Sequence, residues 1–333
     1  MDGASPRRTL CRTKAVASGD QMTKTTDKSN ERTILAVGSV AYDSIRTPFG
    51  EANRVVGGAA TYFSIAAAFF TDVRIVGVVG EDFTERDMMV FGGRRIDRSG
   101  LQQVPGETFR WRGEYSYDLN NRETIYTYLN VFEDFDPVVP PSHRHSPFVF
   151  LGNIHPRLQL SVLEQIEAPR FVAADTMNYW IEGTPDDLRQ VLARVDALLI
   201  NDAEARQLSG EPNLVKAART ILAMGPRLLV IKRGEYGVLM TGGEGFFAAP
   251  AMPLEDVRDP TGAGDTFAGG FVGFLASQGA LNEGLYPRAV IAGSTMASFS
   301  VEAFGLDRLL SLQRDEVVQR FNEFKHLTQF EAL

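Results

Sequence analysis

Asp259-Pro260-Thr261-Gly262-Ala263-Gly264-Asp265-Thr266-Phe267 is the stretch whose residue types and spacing point most directly to chemistry. Gly262 and Gly264 carry no side chain that would hold a ligand away from the backbone. The turn runs into an apolar segment with the composition of a helix, ending near Ser277. The N–H groups freed by the glycines therefore fall at a helix N-terminus, where the dipole also favours negative charge. That is an anion site, and phosphate is the anion it suits. Asp265 is out of place there unless it has a task, because a carboxylate repels phosphate. The task it fits is accepting the proton of a hydroxyl that attacks phosphorus. The plainer reading of the same residues is an N-capped helix after a tight turn.

The longer string resembles the C-terminal signature of the PfkB family, the ribokinase-like carbohydrate and nucleoside kinases. The resemblance implies that Asp265 is the catalytic base. It also implies that the backbone of Gly262, Ala263 and Gly264 is the anion hole for the transferring phosphoryl group. The implied fold is α/β and ribokinase-like, with a central, mostly parallel sheet flanked by helices and a small β lid. The implied cofactors are ATP and Mg²⁺.

Composition sets outer bounds. The chain has 333 residues, 44% hydrophobic and 23% charged, with a formal charge of −8, so there is no electrostatic case for nucleic-acid binding. Cys11 is the only cysteine, which excludes an intrachain disulfide and fits a reducing, cytoplasmic compartment. No apolar run is long enough to span a bilayer, and no membrane partner is expected. The four histidines form no metal-ligand spacing, and His143 and His145, in a Pro-rich connection, read as solvated. Neither a Gly-x-x-x-x-Gly-Lys-Ser/Thr string nor a Gly-x-Gly-x-x-Gly after a strand occurs, which disfavours P-loop NTPases and dinucleotide oxidoreductases.

Residues 1–32 read as a disordered basic tail, with Arg7, Arg8, Arg12, Lys14, Lys24 and Lys28 against Asp2, Asp20 and Asp27. An organelle-targeting segment and a start nearer Met22 are the other readings. Residues 33–333 form the kinase domain. A short apolar run, Ile34 to Val37, is the first buried strand; Ala59 to Phe70 is helical; Val73 to Val79 is the next strand. That order predicts a parallel sheet with crossovers. Strands over 148–151, 171–174, 197–200 and 227–232 continue it, and helices close the chain over 285–304 and 313–327.

Open parallel sheets bind ligands at the carboxyl ends of their strands, which makes Asn153 an acceptor-site candidate. Through the resemblance, Asp43 and the Gly57-Gly58 turn become substrate-binding residues. Gly77-x-x-Gly80-x-Asp82 matches a further family string. Asn201-Asp202-Ala203-Glu204 resembles the family's Asn-x-x-Glu motif, with Glu204 acting on Mg²⁺ through water. Lys232-x-Gly234-x-x-Gly237 resembles the loop along the nucleotide, where Lys232 either reaches phosphate or pairs with an acidic neighbour. Gly293 falls in the region that lies against adenine. Val301 to Asp307, with Asp259, corresponds to a monovalent-cation loop in some members, so K⁺ is a candidate ion. Ala41, Ala59 and Tyr62 depart from the Asn, Lys and Asn of many sugar kinases, so ribose is not carried over as substrate.

Residues 106–132 read as a hairpin, with Phe109, Trp111, Tyr115 and Tyr117 on one face and Tyr126, Tyr128 and Phe132 on the returning strand. It is either a sheet packed on its own core or a lid over the acceptor site, through which two copies would pair as a homodimer. The expected activity is transfer of the γ-phosphate to a hydroxyl of a sugar or sugar-like small molecule. A nucleoside acceptor is the first alternative. A non-catalytic assembly subunit on the same fold is the second, and the intact Asp265 and glycine turn argue against it.

Overall fold

The computed structural model describes residues 1, 30–242, 245–279 and 281–329. Most of the tail expectation, residues 2–29, lies outside the described residues; Asn30–Arg32 form a short 3-10 turn. Thirteen strands follow. They are β1 (Ile34–Val37), β2 (Ala41–Thr47), β3 (Gly50–Gly57), β4 (Val73–Gly80), β5 (Ile96–Val104), β6 (Phe109–Tyr115), β7 (Arg122–Tyr128), β8 (Phe148–Leu151), β9 (Phe171–Ala174), β10 (Ala197–Asn201), β11 (Leu228–Lys232), β12 (Val238–Thr241) and β13 (Phe247–Ala249).

Nine of them make one sheet in the order β13-β12-β11-β10-β9-β8-β1-β4-β5, parallel except for the antiparallel edge at β12 and β13. Its central strands are apolar on both faces because both faces are covered. Ile34 and Ala36 of β1, Phe148 and Phe150 of β8, and Leu228 and Val230 of β11 pack against the helices Ala263–Gln278 and Tyr286–Ser300. The alternate residues Leu35, Val37, Val149, Leu151, Leu229 and Ile231 pack on the other layer with Val162, Leu188 and Ile221. Phe63, from the helix Ala59–Ala67, stacks on Phe150 with ring centroids 3.9 Å apart, tying that helix to the sheet centre. Burying one such ring stabilises the fold by roughly 1.5–3 kcal/mol.

The other four strands form a second sheet in the order β3-β2-β6-β7. The expectation of a two-stranded lid is therefore too small. After β1 the chain leaves into this second sheet, where β2 pairs with β3 and β6. Asp43 sits on β2, within this second sheet. Asp82 fastens the lid to the main body. Its carboxylate accepts from the Thr108 N–H (2.7 Å) and hydroxyl (2.6 Å), and from Arg110 and Arg54 (3.3 Å each).

His143 is not solvated. It is buried, with its Nε2 3.1 Å from Asp97 on β5 and 3.1 Å from the Ser99 hydroxyl. The partner comes from a strand distant in sequence, and a Pro-rich composition says nothing of that.

Candidate active site

The glycine turn lies at the start of the helix Ala263–Gln278, with Gly262 as N-cap in the left-handed region at φ 72°. A Cβ at Gly262 would also lie 2.5 Å from the Tyr62 ring, so two separate constraints select glycine there. The Ala263 N–H closes the turn on the Pro260 carbonyl (3.2 Å), which leaves Gly264 and Asp265 at the open helix start.

A side chain on Gly264 would meet the Lys232 ammonium at 3.1 Å. Lys232, at the end of β11, also pairs with Asp175, at the end of β9, at 3.1 Å. Both alternatives for Lys232 therefore coincide: it has an acidic partner, and its charge lies against the anion turn. Burial works against the ammonium, but the Asp175, Glu204 and Asp265 carboxylates outweigh it and raise its pKa.

Asp265 is half-buried at this point. Burial and the Asp175 carboxylate push its pKa up to about 7, against the pull of Lys232 and Arg122. That value suits a general base working near neutral pH. Glu204 caps its own helix: its Oε2 accepts from the Asn201 N–H, and the Asn201 Oδ1 accepts from the Glu204 N–H, each at 2.8 Å. Burial and Asp175 raise its pKa to about 7. Glu204 is thus also a helix-start residue that closes a reciprocal cap with Asn201. One carboxylate oxygen remains for a water on a metal ion, so the donor set fits the water-mediated role.

Asp43 is buried across the glycine turn from this group. Burial and the Asp259 carboxylate raise its pKa to about 7, with a Gly58 N–H opposing. A Cβ on Gly57 would fall 2.0 Å from the Asp43 Oδ2, and one on Gly58, at φ 93°, would fall 2.5 Å from the Ser39 carbonyl. The Gly-Gly pair is what lets β3 pass over the aspartate. Tyr62 completes this side. It is buried, and its hydroxyl has no hydrogen-bond partner among the described residues. Burial, then Asp43 and Asp259, hold its pKa well above the ordinary tyrosine value, so it remains a donor.

The remaining candidates are more local. Asp259 is buried, and its carboxylate accepts from the Thr261 N–H (2.8 Å) and the Gly305 N–H (2.9 Å), tying the turn to the loop after Ser300. Asn153 accepts from the Trp180 indole at 3.0 Å. Gly234 and Gly237 bound a 3-10 turn; Gly237 is required by the Ala249 carbonyl, 2.0 Å from where a Cβ would sit. Gly293 packs against Phe267 where two helices cross, which is sufficient reason for a glycine.

Three residues of the site were not singled out as candidates. Asp175 follows an apolar strand, the same signal that pointed to Asn153. Tyr115 places its hydroxyl 3.0 Å from the Thr261 hydroxyl, bringing the lid onto the glycine turn. Arg122 lies within the 106–132 hairpin and opens β7.

The strand ends of the parallel sheet gather Asp175, Glu204 and Lys232 against the glycine turn and Asp265, beside the second sheet. The family comparisons make the chain a phosphotransferase acting on hydroxyl groups. The chain belongs to the pfkB family of carbohydrate kinases, whose profile matches residues 31–311. A cytidine kinase of Thermococcus kodakarensis is 30% identical over 245 residues, covering 72% of this chain and 87% of its own. The nucleoside kinase of Methanocaldococcus jannaschii, an archaeal ribokinase-family member, superposes with a TM-score of 0.70 at 20% identity, covering 88% of this chain and 98% of that one. Arabidopsis thaliana ribokinase complexed with ribose and ATP superposes at 0.71 and 18% identity, covering 87% and 98%.

Proposed function

We propose that the protein transfers the γ-phosphoryl group of ATP to a hydroxyl of a ribose-bearing small molecule, with Asp265 as general base. The observation that carries this reading is Asp265 at a glycine-opened helix start, with the Lys232 ammonium against the same turn. Asp43 holds the acceptor, and Asp265 takes the proton of the attacking hydroxyl. The helix start around Gly264 and Lys232 receive the charge that develops on the phosphoryl oxygens. Glu204 would hold a nucleotide-bound Mg²⁺ through water, and the ion would supply further charge neutralisation. The lid over residues 106–132 and the β2–β3 pair exclude water from the reaction.

A nucleoside is favoured over a free sugar as acceptor. The cytidine kinase relative supports this, and so does Tyr62, which puts an aromatic donor where many sugar kinases have Asn. The same reading includes a monovalent cation beside Asp259, supported by the hold of that carboxylate on the 301–305 loop. It also includes a homodimer paired through the lid, supported by the exposed Tyr117, Ile125 and Tyr128, and a cytoplasmic location. Residues 33–333 act as one kinase domain.

The test is ATP consumption with Mg²⁺ over a panel of nucleosides, ribose, other sugars and polyols, with and without K⁺. Turnover with a nucleoside above that with ribose is expected. Turnover with sugars alone overturns the nucleoside assignment, and no binding of ATP overturns the kinase reading.

A further inference from the structure

The helix Pro156–Gln165, which crosses from β8 to β9, buries Pro156, Gln159, Val162 and Leu163. Val162 and Leu163 join the hydrophobic layer on that face of the sheet, and the spacing calls for an apolar residue at 159 as well. Gln159 stands there instead, 1% exposed. Its Nε2 donates to the Gly152 carbonyl at 2.9 Å and to the Asp175 carbonyl at 3.0 Å. Both partners can only accept, so the amide nitrogen must be the atom that faces them. The Oε1 is left buried with no hydrogen-bond partner among the described residues, a cost that an apolar residue would not incur.

The two carbonyls lie just past the ends of neighbouring strands. The β8–β9 ladder stops with Leu151 opposite Ala174. Beyond it, the Gly152 N–H donates to the Val37 carbonyl (2.7 Å) and the Asp175 N–H to the Leu151 carbonyl (2.9 Å). Gln159 ties the next carbonyls together, so a side chain carries the strand pairing as far as Asp175. The Asp175 Oδ1 accepts from the adjacent Thr176 N–H at 2.8 Å, so the carboxylate takes its orientation from its own backbone. The Oδ2 accepts from the Lys232 ammonium at 3.1 Å. β10 lies between β9 and β11, so this pair bridges two strand spacings, about 10 Å of backbone separation. The aspartate side chain is short, and its backbone position sets where the lysine ammonium comes to rest. That place is against the anion turn, 3.1 Å from where a Gly264 Cβ would sit. Both partners are largely enclosed, so a displaced aspartate would leave a buried ammonium short of its partner.

We propose that Gln159 is a positioning residue for phosphoryl transfer: it holds the Asp175 backbone so that the carboxylate keeps the Lys232 ammonium against the glycine turn. This role rests on the kinase reading above. Gln159 works from the helix behind the strand ends, through Asp175 and then Lys232. It explains why a buried polar side chain stands where the helix pattern and the economy of burial both favour an apolar one.

The test is a double-mutant cycle of Gln159→Met with Asp175→Ala, read in kcat and in KM for ATP at saturating acceptor and Mg²⁺, well below the lowest Tm of the set. Methionine keeps the volume and removes both donors. Gln159→Leu is run beside it, so that one misfolded variant does not decide the outcome. Gln159→Met should lower kcat roughly 10-fold, short of the 10²-fold that a misplacement of about 1 Å can cost, with KM for ATP within about threefold of wild type. Asp175→Ala should lower kcat at least as far. In the Asp175→Ala chain there is no carboxylate left to hold, so adding Gln159→Met should change kcat by less than about twofold. If Gln159→Met and Gln159→Leu keep the wild-type kcat, whatever their Tm, the proposal is overturned while the kinase reading stands. If Gln159→Met lowers kcat equally with and without Asp175, it acts on the fold at large rather than through that carboxylate, and the proposal is overturned. If the wild-type chain neither binds ATP nor turns over any acceptor, the kinase reading fails and takes this role with it.

Discussion

Replacing Tyr62 by phenylalanine should move stability and acceptor affinity in opposite directions. The Tyr62 hydroxyl is buried without a hydrogen-bond partner among the described residues, and it lies in the field of Asp43, Asp259 and Asp265. An unpartnered buried polar group costs about 1–3 kcal/mol. Removing the oxygen leaves the ring packed as before against the glycine turn, so most of that cost is relieved. A gain of about 1 kcal/mol raises the melting temperature of a chain this large by roughly 2 °C. With acceptor bound, the same hydroxyl donates to it, and losing one neutral hydrogen bond of about 0.5–1.5 kcal/mol raises KM by roughly 2- to 10-fold. Differential scanning fluorimetry on the ligand-free chain reads the first effect. Steady-state kinetics over acceptor concentration at saturating ATP reads the second, with kcat little changed. A Tm that falls together with an unchanged KM would refute the reasoning, because the hydroxyl would then be satisfied within the fold and unused by the substrate.

Asp265, with its pKa raised to about 7, ionises near neutral pH; as the proposed base it should make kcat/KM climb through an inflection near pH 7, and a flat profile from pH 5.5 to 8 would contradict this. Asp82→Ala removes four acceptor contacts that anchor the lid, and should cost about 1–3 kcal/mol of stability and speed proteolytic cleavage within residues 106–132; unchanged cleavage would separate Asp82 from the lid. Burial lowers the His143 pKa against the opposing pull of Asp97, so the folded ring stays neutral while the unfolded one takes a proton. Stability on this account is full above about pH 6.5 and is lost as pH falls through the folded value; His143→Gln should flatten Tm between pH 7 and 5, and an unchanged slope would assign the loss elsewhere.

The parts of the site legible in the sequence are those whose chemistry is local in the chain. The glycine turn at a helix start, with Asp265 beside it, was readable because neighbouring residues make it. The strand ends at 151, 174 and 200 were readable because doubly covered strands are continuous apolar runs with sharp ends. What was missed depends on contacts between distant segments. Asp175 matters because Lys232, on another strand, reaches it and the turn at once. The second sheet was not legible in full, because β2 and β3 join the 109–128 hairpin through pairing between segments distant in the chain. Arg122 was not singled out because its place comes from its register with Tyr115, across a ladder with an irregularity at Arg112 and Gly113. Glu204 shows how a helix-capping role can coexist with the proposed one: one oxygen caps the helix, and the other is uncommitted to that cap.

The most direct test of the account is the turnover of Asp265→Ala against that of the wild-type chain, with saturating ATP, Mg²⁺ and the best acceptor. ATP-analogue binding is measured on both chains as a check on folding. The account predicts a kcat lower by roughly 10²–10⁴-fold with analogue binding retained. Near-normal turnover in that variant would show that Asp265 is not the base, and the mechanism built on it would fall.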